Sequence, residues 1–128
     1  MMDKERLMAE QYLLGRKMPK NCFRFMDMDT NKPYLVLAAK TNRGNLYTLR
    51  IELDDFPNRI PKMYVTKRLL MKSGQPLPEN DMNLNTIKCN VRMTGIWYQE
   101  HWNPNISLYM VYYRGIMWLE DYENYLYS

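Results

Sequence analysis

The sequence predicts an α+β domain, with an N-terminal helix, a four-stranded antiparallel meander and a long C-terminal helix packed on the sheet. Three patterns carry that expectation. Apolar residues recur at near-helical spacing behind an aspartate cap, short stretches then alternate apolar and polar residues between turn signals, and an unbroken helical stripe closes the chain. With 128 residues and no internal repeat, low-complexity tract or Ser/Gly linker, residues 1–128 are read as one domain.

The first helix is placed at Asp3 to Lys17, capped by Asp3, with Leu7, Met8, Tyr12 and Leu14 as its apolar positions and Gly15 and Pro19 marking its end. Cys22 to Met28 alternates, with Phe23 and Phe25 on one side, as a half-buried strand does. Turn chemistry at Asp29 to Pro33 leads into a second strand, Tyr34 to Ala39. A hairpin turn at Asn42 to Asn45 then leads into a third, Leu46 to Leu53. Pro57 and Pro61 cannot donate ladder hydrogen bonds, so Asp55 onward is an extended crossing before a short strand at Lys62 to Val65. Thr66 to Asn85 reads as a long polar loop, of the kind that often carries function, and Thr86 to Val91 as a short extended piece holding Cys89.

The last element has Leu108, Val111, Tyr112, Gly115, Trp118, Leu119, Tyr122 and Leu126 on one face, with Asn103 and Pro104 or Ser107 as start signals. Gly115 within that stripe predicts close approach of the helix to the sheet. The aromatic stripe is read as core packing and not as a site of chemistry.

Composition narrows the function classes. An apolar share of 46% with 25% charged residues suits a globule and argues against disorder. The mean hydropathy of −0.58, and the lack of an apolar run of the roughly 20 residues a span needs, predict no membrane helix. The charged opening Met1 to Glu10 predicts no secretory leader. The net charge is +4, and its basic stretches, Arg16 to Arg24 and Arg59 to Lys72, are read as solvated because no nucleic-acid motif accompanies them. Cys22 and Cys89 are expected to be reduced thiols in the cytoplasm, and with the single His101 they have no metal-ligand spacing.

No paired-carboxylate site, Gly-rich phosphate loop or Ser-His-Asp order is found, which leaves the thiols. Cys22, inside an alternating strand, is read as a small core hydrophobe. Cys89 follows a long polar loop, stands between Lys88 and Asn90, and has Arg92 close by. Positive neighbours favour the thiolate, the form that attacks a carbonyl.

The segment Asn45 to Thr66 (NLYTLRIELDDFPNRIPKMYVT) resembles the signature of ubiquitin-conjugating enzymes, in which a third strand runs into a Tyr-Pro-x-x-Pro-Pro crossing and a fourth strand. Here the crossing is Phe56, Pro57, Asn58, Arg59, Ile60 and Pro61, followed by Lys62 and Met63. In that family an N-terminal helix precedes the meander. A catalytic cysteine follows the fourth strand after a long loop, and a Trp-x-Pro then opens a helix. The helix, Cys89, and Trp102, Asn103 and Pro104 stand here in that order. The family's His-Pro-Asn before the cysteine is missing, and only Asn80, Asn83 and Asn85 are nearby. The stretch from Cys89 to Trp102 is also longer than usual, and the helices that often follow in the family are not expected. The tail Gly115 to Leu126 (GIMWLEDYENYL) resembles the W-L-x-x-Y-E ending of short prokaryotic relatives. Those relatives occur in antiphage defence operons, either beside a cGAS-like nucleotidyltransferase or in bacterial ubiquitin-like operons.

The resemblance implies a transferase. The Cys89 thiolate would accept the C-terminal glycyl group of a donor protein as a thioester, and an amine would then attack it. Asn83 or Asn85 is the candidate side-chain donor to the oxyanion, with loop backbone N–H groups as substitutes, and His101 and Tyr98 are auxiliary candidates. Trp102 is assigned a structural part, pinning the loop to the helix. The implied donor is a ubiquitin-like protein or a cGAS-like nucleotidyltransferase, charged by an activating enzyme where one exists, and no metal or organic cofactor is implied. Two other readings stand beside it: a catalytically silent protein-binding module on the same fold, and, more weakly, a small basic nucleic-acid-binding domain.

Overall fold

A computed structural model describes residues 3–59, 61–66, 69–75, 86–87 and 102–127. Asp3 starts the first helix, α1 (Lys4–Lys17), by accepting the Arg6 backbone N–H on Oδ1 at 3.0 Å. The face α1 buries is narrower than its apolar spacing predicts. Leu7, Glu10 and Leu14 are buried, whereas Met8 and Tyr12 are 71% and 67% exposed. The helix also runs through Gly15 and ends at its C-cap, Met18.

A short 3-10 turn over Lys20–Cys22 leads into the meander: β1 (Phe23–Met26), β2 (Tyr34–Lys40), β3 (Leu46–Glu52) and β4 (Met63–Val65). The predicted short extended piece contributes a fifth strand, β5 (Thr86–Ile87), and the sheet runs β1-β2-β3-β4-β5 with antiparallel neighbours. Cys22 falls in the 3-10 turn and not in the strand. It is only half-buried, its thiol 3.7 Å from Asn21 Oδ1, so it is not the core residue the alternation suggested.

Period-two burial sets the register of the sheet. Leu35, Leu37 and Ala39 of β2 pair with Ile51, Leu49 and Tyr47 of β3, and all six are buried on one face. The β2–β3 turn closes through Thr41 and Asn45, with Gly44 at φ +87°, a conformation that strains other residues. The peptide between Phe56 and Pro57 in the crossing is cis.

The second helix, α2 (Leu108–Leu126), covers the buried face. Ser107 Oγ caps it by accepting the Met110 N–H at 3.2 Å. Its inner stripe follows the predicted pattern at Leu108, Val111, Gly115, Trp118, Leu119 and Tyr122, with buried Glu123 added. Tyr112 lies at the margin of this stripe, where its hydroxyl donates to the Ala38 carbonyl at 2.7 Å. Gly115 meets the sheet at backbone distance: a Cβ there would lie 2.9 Å from both Leu49 Cδ1 and Met63 Sδ.

Two polar latches fix the far end of α2. The Tyr122 hydroxyl donates to the Leu70 carbonyl at 2.6 Å and accepts the Leu70 N–H at 2.8 Å. Beside this latch, Leu69 is buried in the core, out of a stretch the sequence reads as polar loop. Glu123 Oε2 accepts from the Tyr47 hydroxyl at 2.5 Å and from Asn45 Nδ2 at 2.8 Å, tying α2 to the β2–β3 hairpin. Glu120 extends this tie by accepting the Asn42 N–H at 2.8 Å. Burial alone would raise the Glu123 carboxyl, but hydrogen bonds from Tyr47 and Asn45 and the nearby Arg43 charge outweigh it and hold the group below its ordinary value. Burial, then the bond to Glu123, pushes the Tyr47 phenol well above its usual 10.

Two predictions follow from these contacts. Gly115→Ala is expected to lower stability by about 1 kcal/mol, because displacing two buried side chains (about 1–3 kcal/mol) exceeds the helix-propensity gain. Gly15→Ala, where nothing lies within 4 Å of the new methyl, should raise it by about 0.5–1 kcal/mol. Urea unfolding of the two variants checks the opposite signs.

The second prediction concerns pH. The lowered Glu123 contributes stability above its unfolded-state value that is lost as pH falls through the folded-state value. The raised Tyr47 contributes below pH 10 and is lost as pH rises beyond it. Asp121, raised by burial and then by Glu120, has the opposite sign to Glu123. The difference in stability between wild type and Glu123→Gln should therefore be largest at neutral pH and shrink below about pH 4.5, measured by urea unfolding across pH.

Candidate functional site

Cys89, Asn83, Asn85 and His101, together with Tyr98, lie outside the described residues. What the structure describes is the frame on either side of them. On one side the sheet reaches β5, where Ile87 pairs with Met63. On the other, the chain is described again from Trp102 onward.

Trp102 is structural, but what it is seen to hold is the proline crossing; the loop that the sequence has it pin to the helix lies outside the described residues. Its indole N–H donates to the Pro57 carbonyl at 3.2 Å, and its ring meets Phe56 edge-on with centroids 6.2 Å apart. The proline crossing and the Trp-Asn-Pro, 45 residues apart in sequence, are thereby joined. Phe56 is fully buried, so the crossing is anchored in the core and presents the Pro57 carbonyl to the indole.

Behind this pair is a charged clamp that the sequence did not disclose. Glu10 of α1 is only 5% exposed. One of its carboxylate oxygens accepts the Leu108 N–H at 2.7 Å, satisfying a donor of the first turn of α2, and the other accepts Arg6 Nε at 2.9 Å. The Arg6 guanidinium donates onward to the Ile106 carbonyl at 2.9 Å and to the Pro104 carbonyl, and it stands 5.0 Å over the Phe56 ring. Two charged residues thus gather α1, the start of α2, the crossing and the residues just after Trp102. The only local signal was an i,i+4 Arg–Glu pair, a spacing that usually marks a solvated helix face.

Chemically, the frame offers rigid anchors rather than reactive groups. Among the described residues, no group of three or more His, Cys, Asp or Glu could hold a metal ion. The other thiol, Cys22, stands near Tyr112, whose phenol is raised by burial and then by that thiol. No helix among the described residues is long and apolar enough to cross a membrane. On the outer face, Arg50 lies 3.6 Å from the Tyr34 ring centroid and pairs with Glu52 at 3.5 Å, beside a cavity of about 380 Å³ that Asp54, Arg59 and Lys62 also line. Both signs of charge line that cavity, Lys32, Arg50, Arg59 and Lys62 against Glu52, Asp54 and Asp55.

Glu10→Ala removes the centre of the clamp and leaves the Leu108 N–H and the Arg6 charge without their partner. The expected loss is about 2–4 kcal/mol in urea unfolding, against at most about 0.5 kcal/mol for exposed Glu5→Ala one turn earlier. Comparison with protein-family models, with curated proteins and with solved structures finds no match to this chain.

Proposed function

We propose that the protein is a ubiquitin-conjugating-enzyme-like transferase that carries the C-terminal glycine of a donor protein as a thioester on Cys89. The observation that supports the reading most is the junction of the Phe56-Pro57 crossing with Trp102, since it joins two of the motifs on which the sequence resemblance rests. A helix, an antiparallel meander and a helix over the sheet stand in the matching order around it. Cys89 follows β5 by two residues and precedes Trp102 by thirteen in the sequence, the place that the resemblance gives the nucleophile.

The chemistry is acyl exchange in two steps. The Cys89 thiolate attacks the activated glycyl carbonyl of the donor, and a tetrahedral oxyanion collapses with loss of the activating group to leave the thioester. An amine then attacks the same carbonyl, loses its proton and expels the thiolate, so that an amide replaces the thioester. Each oxyanion needs hydrogen-bond donors, and Asn83, Asn85 or loop N–H groups are the candidates, with His101 as an auxiliary group. The donor is a ubiquitin-like protein or a cGAS-like nucleotidyltransferase, charged by an activating enzyme with ATP. The setting is the reducing cytoplasm of a prokaryotic antiphage defence system.

The experiment is thioester capture. Incubation with a candidate donor, its activating enzyme and ATP should give an adduct on non-reducing gels that thiol reductant removes. Cys89→Ser should convert it into a reductant-stable oxyester, Cys89→Ala should abolish it, and Cys22→Ala should leave it intact. An adduct that persists in Cys89→Ala, or no adduct with the donor encoded beside the gene, would sink the transferase in favour of a silent binding module.

A further inference from the structure

Strand β1 is at the end of the sheet and pairs only with β2 among the described residues. A strand with one neighbour directs about half of its backbone N–H and C=O groups away from the sheet, where they can accept another strand. Beside that edge is a cavity of about 620 Å³ between α1 and β1. Tyr12, Phe23 and Phe25 supply rings to its lining, and Arg16, Lys20 and Arg24 supply charge, with no carboxylate among the lining residues.

The fold uses these side chains only in part: Phe23 and Phe25 pack against the core but keep exposed surface. Tyr12 is 67% exposed on the side of α1 turned away from Leu7 and Leu14, and Phe23 and Phe25 are half-buried, meeting edge-on at 6.3 Å. Arg16 stands over the Tyr12 ring at 5.9 Å and donates to its hydroxyl at 3.3 Å. The ion pairs among the described residues are Arg6–Glu10 and Arg50–Glu52, so none of the described carboxylates pairs with Arg16, Lys20 or Arg24. Gly15 on the helix wall has no heavy atom within 4 Å of its missing Cβ, which leaves room for a chain to pass.

We propose that the groove between α1 and β1 binds an extended acidic peptide of a partner protein, which adds as a strand to the β1 edge. The site does not depend on Cys89 and holds whether or not the thiol is catalytic. A peptide is the occupant that meets all three features together. Its backbone pairs with the edge of β1, alternate apolar side chains lie against Phe23, Phe25 and Tyr12, and its carboxylates, on the face of Arg24, lie in the field of the three cations. A nucleic acid satisfies the charge but has no backbone that alternates donor and acceptor at strand spacing. The acidic end of a second copy is a poor occupant, because Glu120 and Glu123 are bound within their own chain to Asn42, Asn45 and Tyr47. The four residues of β1 span about 13 Å, enough to pair with a segment of four or five residues.

Fluorescence anisotropy with labelled hexapeptides tests this on the full chain. A peptide alternating Glu and Val should bind with an affinity that falls as salt rises, and its Lys-for-Glu counterpart should not bind. Methylating the backbone nitrogens of alternate residues, in each of the two registers, should weaken binding at least tenfold in one register only, since one set of N–H groups faces β1. The exposed double variant Lys20→Glu, Arg24→Glu should weaken the acidic peptide by about tenfold with an unchanged melting temperature. The N-methylated peptides leave the protein unaltered, so they decide the matter even if a variant misfolds. Equal binding of all backbone variants, tighter binding of a thymidine hexanucleotide, or no binding at millimolar peptide would each overturn the proposal.

Discussion

The Glu10 carboxylate is the constraint around which the rest is arranged. It is buried and charged, which an isolated carboxylate could not be without a large desolvation cost. Each of its oxygens is therefore engaged, one by the first N–H of α2 and one by Arg6, and Arg6 in turn holds two carbonyls just ahead of that helix. Because these partners come from opposite ends of the sequence, the ion pair sets the position of α1 on α2 and of both on the Phe56 ring. A pair of hydrophobic residues could fill the same volume. It could not satisfy the N–H of Leu108 or the carbonyl of Ile106, and a charged pair is kept where such backbone groups need partners.

From that corner the helix over the sheet is held along its length by unlike contacts. Its beginning is capped by Ser107 and Glu10, its middle comes close to Leu49 and Met63 only because residue 115 has no side chain, and its end is tied by Tyr122 and Glu123. Trp118 and Tyr122, both buried, stack nearly parallel at 5.9 Å between the middle and the end. Polar latches at the two ends and close packing in the middle allow α2 neither to slide nor to rotate. The crossing and Trp102, both attached to the first of these corners, share its rigidity.

How much of this was legible depends on whether the interaction is local. The alternation in β2 and β3, the Asp3 cap, the Gly44 turn and the stripe containing Gly115 were readable because each is written within a few residues. Met8 and Tyr12 misled because hydrophobicity gives a helix's candidate faces, not the width of what covers it, and α1 is covered only along Leu7, Glu10 and Leu14. Glu10 and the Leu70 latch were missed for a related reason: their partners lie 98 and 52 residues away, with no mark in the surrounding sequence. For the candidate site, the Pro57 and Trp102 motifs were each legible, but their meeting, 45 residues apart, was not. Cys89, Asn83, Asn85 and His101 remain sequence assignments, argued from thiolate chemistry and motif order. The edge of β1 escaped the reading because an open edge is a property of sheet order, and its cations were counted as solvated charge.

The pairing of Glu10 with Leu108 also has a consequence for biosynthesis. A ribosome delivers α1 before the meander and α2 after it. Until residue 108 emerges, Glu10 lacks its backbone partner, and the sheet face of Leu35, Leu37, Leu49 and Ile51 has nothing over it. The nascent chain therefore passes through a stage in which a greasy, half-built sheet is open to solvent and to neighbouring chains. Its cover arrives only with the residues of α2, so a chain that stalls or is cut within α2 loses the lid of its core as well as a helix.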